Sequence, residues 1–162
     1  MNEANLPLDN NYKKLGSLWQ RFCSSLLDGV IVGIPFLGII YLVMRAMNID
    51  PASDRAQWPV AFTLYAAAIL YILPGIYNVW LMGRYGMTLG QRAVGLKTVR
   101  EDGRSVGYPV ALGRYLFSIL YGIGFLMIGT LLTIISAVMI VKDPKKQTLH
   151  DKVCKTLVLS QS

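Results

Sequence analysis

Charge is scarce in this 162-residue chain. Asp, Glu, Lys and Arg together make up 15% of it, against about 25% in a typical soluble domain. A chain this small has much surface, and there are too few charges to cover it. A soluble globular domain is therefore not expected. Cysteine is scarcer still. Cys23 and Cys154 stand far apart and form neither a CxxC pair nor a zinc-type spacing, so they read as two free thiols in a reducing compartment. No cleavable signal peptide is expected. The first 17 residues are polar, a long apolar run follows, and no small-x-small site comes after it. No nucleophile, base and orienter occur at usable spacing, so the chain is not expected to be an enzyme. The segment Gly86 to Arg92 lacks the four-residue glycine gap and the Lys-Ser/Thr ending of a phosphate loop. His150 and Cys154 stand at i and i+4, too few ligands to expect a metal. No cofactor is expected.

What the chain has is apolar surface. Hydrophobic residues make up 54%, and the 15 glycines bring the apolar share to roughly 63%. That composition excludes disorder, coiled coil and collagen-like fibre. It points to an integral membrane protein. The net charge of +7 could mean nucleic acid in a soluble protein. Here the basic residues lie between apolar blocks, so anionic lipid head groups are the expected partner and nucleic acid is not.

The chain is read as an all-α polytopic bundle with a small cytoplasmic strand cap. A polar N-terminus, residues 1–17, precedes a membrane domain over residues 18–159. Its first helix is expected at 22–44 and its second at 58–83. Each exceeds the roughly 20 apolar residues that span a bilayer core. A cytoplasmic loop over 84–114, a third apolar block over 115–141 and a tail over 142–159 complete the layout. The third block either crosses once, tilted, or breaks near Gly122 to Gly124 or Gly129 into a hairpin that begins before Tyr115. With a single crossing, Lys and Arg divide nine inside against seven outside. With the block folded back they divide fourteen against two. The positive-inside rule prefers the fold-back, with both termini in the cytoplasm.

Three segments of the loop and tail have their own patterns. Thr88 to Val94 reads as a short helix. Leu96 to Arg100 alternates apolar and polar residues as a strand does. Asp102-Gly103 is a hairpin turn signal, with a return strand expected at Ser105-Val106. Gln147 to Cys154 reads as a helix leading into a strand at Lys155 to Leu159.

Asp28 is the residue most able to carry chemistry. A carboxylate inside an apolar helix is costly and by default faces protein or a water-filled cavity. Arg21, Ser25 and Asp28 fall within about 40° of one line on the helix at 100° per residue. Ser25, Gly29 and Gly33 add a four-residue repeat of small side chains, which lets another helix approach closely. Two readings stand side by side. Either Asp28 binds a proton or cation tuned by Arg21, or the two belong to a buried ion network that orients helices. On the second helix Asn78 is placed to bond across to the first, near a kink at Pro74.

These segments together resemble the RDD family of bacterial membrane proteins, named for one arginine and two aspartates. Arg21 and Asp28 match the first two. Gly86-Met87-Thr88-Leu89-Gly90-Gln91-Arg92, then Gly95-Leu96-Lys97-Thr98-Val99 and Asp102-Gly103, match its loop motif. Gln147-Thr148-Leu149-His150-Asp151 matches its closing motif, which makes Asp151 the second aspartate. Gln91 departs from the family's usual lysine, and Cys154-Lys155 from a common Ala-Gly. The resemblance implies a transporter or transporter-like module, in some members exchanging monovalent cations for H⁺. Asp28 would then bind ions, and Arg21 and Asp151 would gate it, with Ser25, Asn78 and His150 in support. The alternative is a scaffold or partner-binding subunit in which the three residues form a structural clasp. A chain with so few helices is expected to work as a homo-oligomer or beside a partner membrane protein.

Overall fold

The computed structural model describes residues 14–53, 58–123 and 126–161. The elements run β1 (Lys14–Leu15), α1 (Leu18–Ala46), α2 (Val60–Tyr85), α3 (Leu89–Ala93), β2 (Leu96–Arg100), α4 (Gly107–Ile123), α5 (Leu126–Lys142), α6 (Leu149–Val153) and β3 (Thr156–Ser160). The fold is mostly helical with one small sheet. Most of the polar N-terminal segment, residues 1–13, lies outside the described residues.

α1 begins earlier than its apolar run because Ser17 caps it. The Ser17 Oγ accepts from the Gln20 N–H at 3.2 Å, and the Gln20 Oε1 accepts from the Ser17 N–H at 3.0 Å, which satisfies two N-terminal donors. α2 begins after Pro59 and ends at Gly86, whose φ of +72° is left-handed and suits glycine best. A side chain there would also place Cβ 2.8 Å from the Thr98 carbonyl. Both helices are long and apolar enough to cross a membrane, with mean hydropathies of 2.3 and 1.8. Little of either is covered by protein: Ile34, Leu37, Leu42, Val60 and Leu64 are all exposed. A core helix of a soluble protein would bury this surface, so it suits helices that face lipid or other membrane helices.

The third apolar block is not one helix. α4 and α5 have 17 residues each, and the break expected at Gly122 to Gly124 falls between them. Residues 124–125 lie outside the described residues. α4 starts at Gly107, inside the stretch read as loop. Pro109 suits a first helical turn, and Val106 is drawn into a buried cluster with Met82 and Ala111. Both free ends of the pair meet the same cap. Arg114 on α4 reaches Asp151 of α6, and Asp143, just after α5, pairs with Lys152 at 3.1 Å.

The sheet is antiparallel with order β1-β3-β2. Leu15 faces Leu159, Thr98 faces Val158, and Arg100 faces Thr156. Leu15, Val99, Leu157 and Leu159 form the core on one face. β2 lies where alternation places it and β3 falls one residue after the strand expected at Lys155 to Leu159, but Ser105-Val106 is not a strand. The Asp102-Gly103 turn closes on itself through Arg100 N–H to the Arg104 carbonyl at 3.0 Å, and the chain then enters α4. The third strand is instead β1, two residues next to the first helix. At the far end of the molecule Met44, Ile49 and Phe62 pack together, with Trp58 edge-on to Phe62.

Candidate functional site

The three residues of the expected triad divide between two centres. At the first, Asp151 is fully buried in α6. Its Oδ2 accepts from Arg21 Nη1 at 2.7 Å and from the Thr148 hydroxyl at 2.7 Å. Its Oδ1 accepts from Arg114 Nη1 and from the Thr156 hydroxyl. Arg114 Nη1 also bonds Thr156 Oγ1, and Arg21 Nη2 donates to the Lys146 carbonyl at 2.7 Å. Lys146 has φ +47°, a strained backbone for a residue with Cβ. One carboxylate thus ties α1, α4, α6 and β3 together.

Burial alone would raise the Asp151 pKa. The guanidiniums of Arg114 and Arg21 outweigh it and hold the carboxyl well below its usual range. The His150 ring meets the Thr148 hydroxyl at 3.1 Å. Burial, then the charge of Arg114, pushes its pKa down to about 4, so it is neutral at pH 7.

At the second centre, Asp28 of α1 accepts from three donors. Tyr77 of α2 gives its hydroxyl at 2.6 Å, Thr88 gives its hydroxyl at 2.6 Å, and the Gly90 N–H donates at 2.8 Å. The Tyr77 oxygen in turn accepts from the Leu89 N–H at 3.1 Å. The first-turn amides of α3 have no partner within their own helix, and a carboxylate complements that end of the helix. α3 comes this close because residue 90 is glycine. A Cβ there would lie 2.2 Å from the Ser24 carbonyl and 2.8 Å from the Asp28 carboxyl.

Arg21 is therefore not the partner of Asp28. Helical spacing brings the two onto one line, but Arg21 turns to α6 and Asp28 to α2 and α3. Ser25 is exposed and bonds back to the Arg21 carbonyl at 2.9 Å. Gly29 and Gly33 meet no neighbour within 4 Å of a would-be Cβ, so the close approach happens at Ser24 instead. Asn78 donates to the Pro74 carbonyl on its own helix at 2.9 Å, and Tyr77 makes the bond across. Gly75 accommodates the Tyr115 ring, whose hydroxyl donates to the Tyr71 carbonyl. Gly29, Gly33, Pro74 and Asn78 line an open cavity of about 290 Å³ that reaches Asp28. Of the loop motif, Gly86 and Thr88 cap helices. Gly95 has φ +69°, and Arg92 lies exposed beside a separate cavity.

Sequence reasoning passed over Arg114, Tyr77 and Thr156 as site residues. Arg114 had a signal: it is the lone charge between Arg104 and Lys142, and such a charge faces protein by default. Tyr77 and Thr156 had none beyond their type. Outside both centres, Glu101 holds Lys145 Nζ and Gln147 Nε2, each at 2.9 Å. These two bonds keep its carboxyl below the usual range. Among the described residues no three His, Cys, Asp or Glu side chains converge as a metal would require.

The chain matches the sequence model of the RDD family over residues 15–155. It is 30% identical over 161 residues to a Bacillus subtilis (strain 168) protein described as "Uncharacterized protein YxaI", covering 91% of this chain and 98% of that one. It is 30% identical over 149 residues to "Uncharacterized protein YckC" of the same organism, covering 92% of this chain and 86% of the other. No solved structure matches. The match over most of its length means that the chain belongs to the RDD family.

Proposed function

We propose that this protein is a membrane scaffold or partner-binding subunit whose Arg21, Asp28 and Asp151 clasp a cytoplasmic cap onto its membrane helices. One observation carries the reading. Both carboxylates accept from donors on separate elements, Asp28 from α2, α3 and its cap, and Asp151 from α1, α4 and β3. Such groups hold structure together, and a carboxylate engaged by three or more donors must give them up before it exchanges ligands freely. In this reading α1 and α2 cross the inner membrane, and the α4–α5 hairpin dips in and returns to the cytoplasmic face. At 1.5 Å per residue, 17-residue helices reach about 25 Å, less than a ~30 Å hydrocarbon core. A homo-oligomer or a partner membrane protein would cover the remaining apolar surface.

A second reading is exchange of H⁺ for a monovalent cation at Asp28. The cavity between α1 and α2, which ends at that carboxylate, favours it. Proton flux in proteoliposomes, with Na⁺, K⁺ or Li⁺ added in turn, separates the two. The clasp reading expects no cation-dependent flux from folded protein. It also expects Asp28→Asn to lose about 1–3 kcal/mol of stability, as for hydrogen bonds to a charged group. Cation-dependent flux that Asp28→Asn abolishes in a protein of unchanged stability would replace the clasp with exchange.

A further inference from the structure

A second cavity, of about 760 Å³, opens where the end of α2 meets α3 and the sheet. Neither carboxylate centre absorbs it. Its volume is that of a small-molecule site. Trp80, Tyr85 and Leu89 form its apolar wall, and Arg92, Leu96 and Gln161 line the side toward the cap. Trp80 and Tyr85 are each about half exposed and meet edge to face, with centroids 6.1 Å apart. Arg84, outside the cavity lining, has its guanidinium 5.9 Å from the Tyr85 ring centroid. Among the described residues no carboxylate lies within ion-pair distance of Arg84 or Arg92.

Each part has a physical meaning. A Trp–Tyr pair at the end of a membrane helix sits at head-group depth. Arg92, which has no carboxylate counter-ion among the described residues, brings to the cavity a guanidinium fork suited to a phosphate. Free phosphate would leave the aromatic wall uncovered. A molecule that is both anionic and apolar fills both parts.

We propose that this cavity binds an anionic phospholipid, its phosphate on Arg92 and the upper acyl chain against Trp80 and Leu89. The proposal rests on α2 being a membrane helix and is independent of the roles given to Asp28 and Asp151.

The test uses full-length protein carrying Trp19→Phe and Trp58→Phe, which leaves Trp80 as the reporter. Its fluorescence is quenched by brominated phosphatidylglycerol or brominated phosphatidylcholine in mixed micelles. Phosphatidylglycerol should quench at lower concentration. Arg92→Gln should weaken it about fivefold, the ~1 kcal/mol expected of one basic side chain at an anionic surface. Phosphatidylcholine should be unaffected, and Arg92→Lys should keep most of the selectivity. A salt titration of the unsubstituted Arg92 protein gives a second reading if Arg92→Gln fails to fold, since the preference for phosphatidylglycerol should fall as salt screens the charge. Equal quenching by both lipids, or selectivity that survives Arg92→Gln or high salt, overturns the proposal. So does displacement of phosphatidylglycerol by inorganic phosphate at matched concentration, which would assign the site to the free anion. Absence of quenching by either lipid would place the end of α2 outside the bilayer and would overturn the membrane placement as well.

Discussion

At the cap, His150 sits beside two guanidiniums and stays neutral until about pH 4. An unfolded chain takes up that proton near the ordinary histidine value of about 6.5. Between those limits the unfolded state binds more protons than the folded one, so stability falls as pH falls from about 6.5 to 4. Asp151 adds to the loss only in stronger acid, because its folded pKa lies below the ordinary carboxylate value. His150→Gln should therefore flatten the decline over that window, by about 1–2 kcal/mol across it, since the ring is 26% open to solvent. Thermal melts of wild type and variant in detergent at a series of pH values measure this directly. Parallel curves would mean that the ring titrates freely. Asp151 itself was legible as one of a set, but its partners were not. Arg21 lies 130 positions away and Arg114 lies 37 away, and helical periodicity reports only neighbours on one helix. For the same reason Arg21 was set beside Asp28, which shares its helix, when the pairing was decided by elements that pack from elsewhere.

Among the elements, α3 shows how far a five-residue helix depends on its surroundings. It is too short to be stable alone. Its capping box, Thr88 with Gln91, and the carboxylate of Asp28 together satisfy its first amides. Gly90→Ala would drive a Cβ into the Ser24 carbonyl, and backbone there cannot move without moving α1. The substitution should cost about 3 kcal/mol or more, in the range of severe overpacking. It should also release Thr88 and Leu89, which hydrogen exchange would detect as lost protection confined to α3. A melt unchanged from wild type would mean that α3 docks elsewhere. The elements themselves were largely readable. Apolar runs marked α1 and α2, alternation marked β2, and a short run after the closing motif marked β3. Their limits were less so, since caps such as Ser17 and Gly86 lie outside the apolar run. The strand expected at Ser105-Val106 failed because a turn signal says that the chain reverses, not what it pairs with afterwards. β1 has only two residues, too few for any pattern, and exists because β3 offers an edge.

For the whole molecule, the arrangement requires the tail to share a side of the membrane with β2, because β3 pairs with it along its whole length. Topology therefore has a sharp test. A cysteine at Gln161, exposed in the structure, in a Cys23→Ser and Cys154→Ser background, should react with impermeant maleimide only in inverted vesicles or opened cells. One at Arg45, beyond the other end of α1's apolar run, should react in intact spheroplasts. Labelling of both from the same side would leave α1 outside the role of a single crossing. The charge count, fourteen basic residues against two, led to the expectation that loop and tail share a side. It could not reveal the sheet that enforces it.

The central place of β3 also sets an order of events. β1 and β2 do not touch each other and are joined only through a strand made after α4 and α5. Until then both are open edges, and α1 already stands in place with Arg21 lacking its carboxylate. The cap therefore closes last in chain order. β3 can pair with β1 only once α4 and α5 have returned the chain to the end of α1 that carries β1, so the finished sheet records that return.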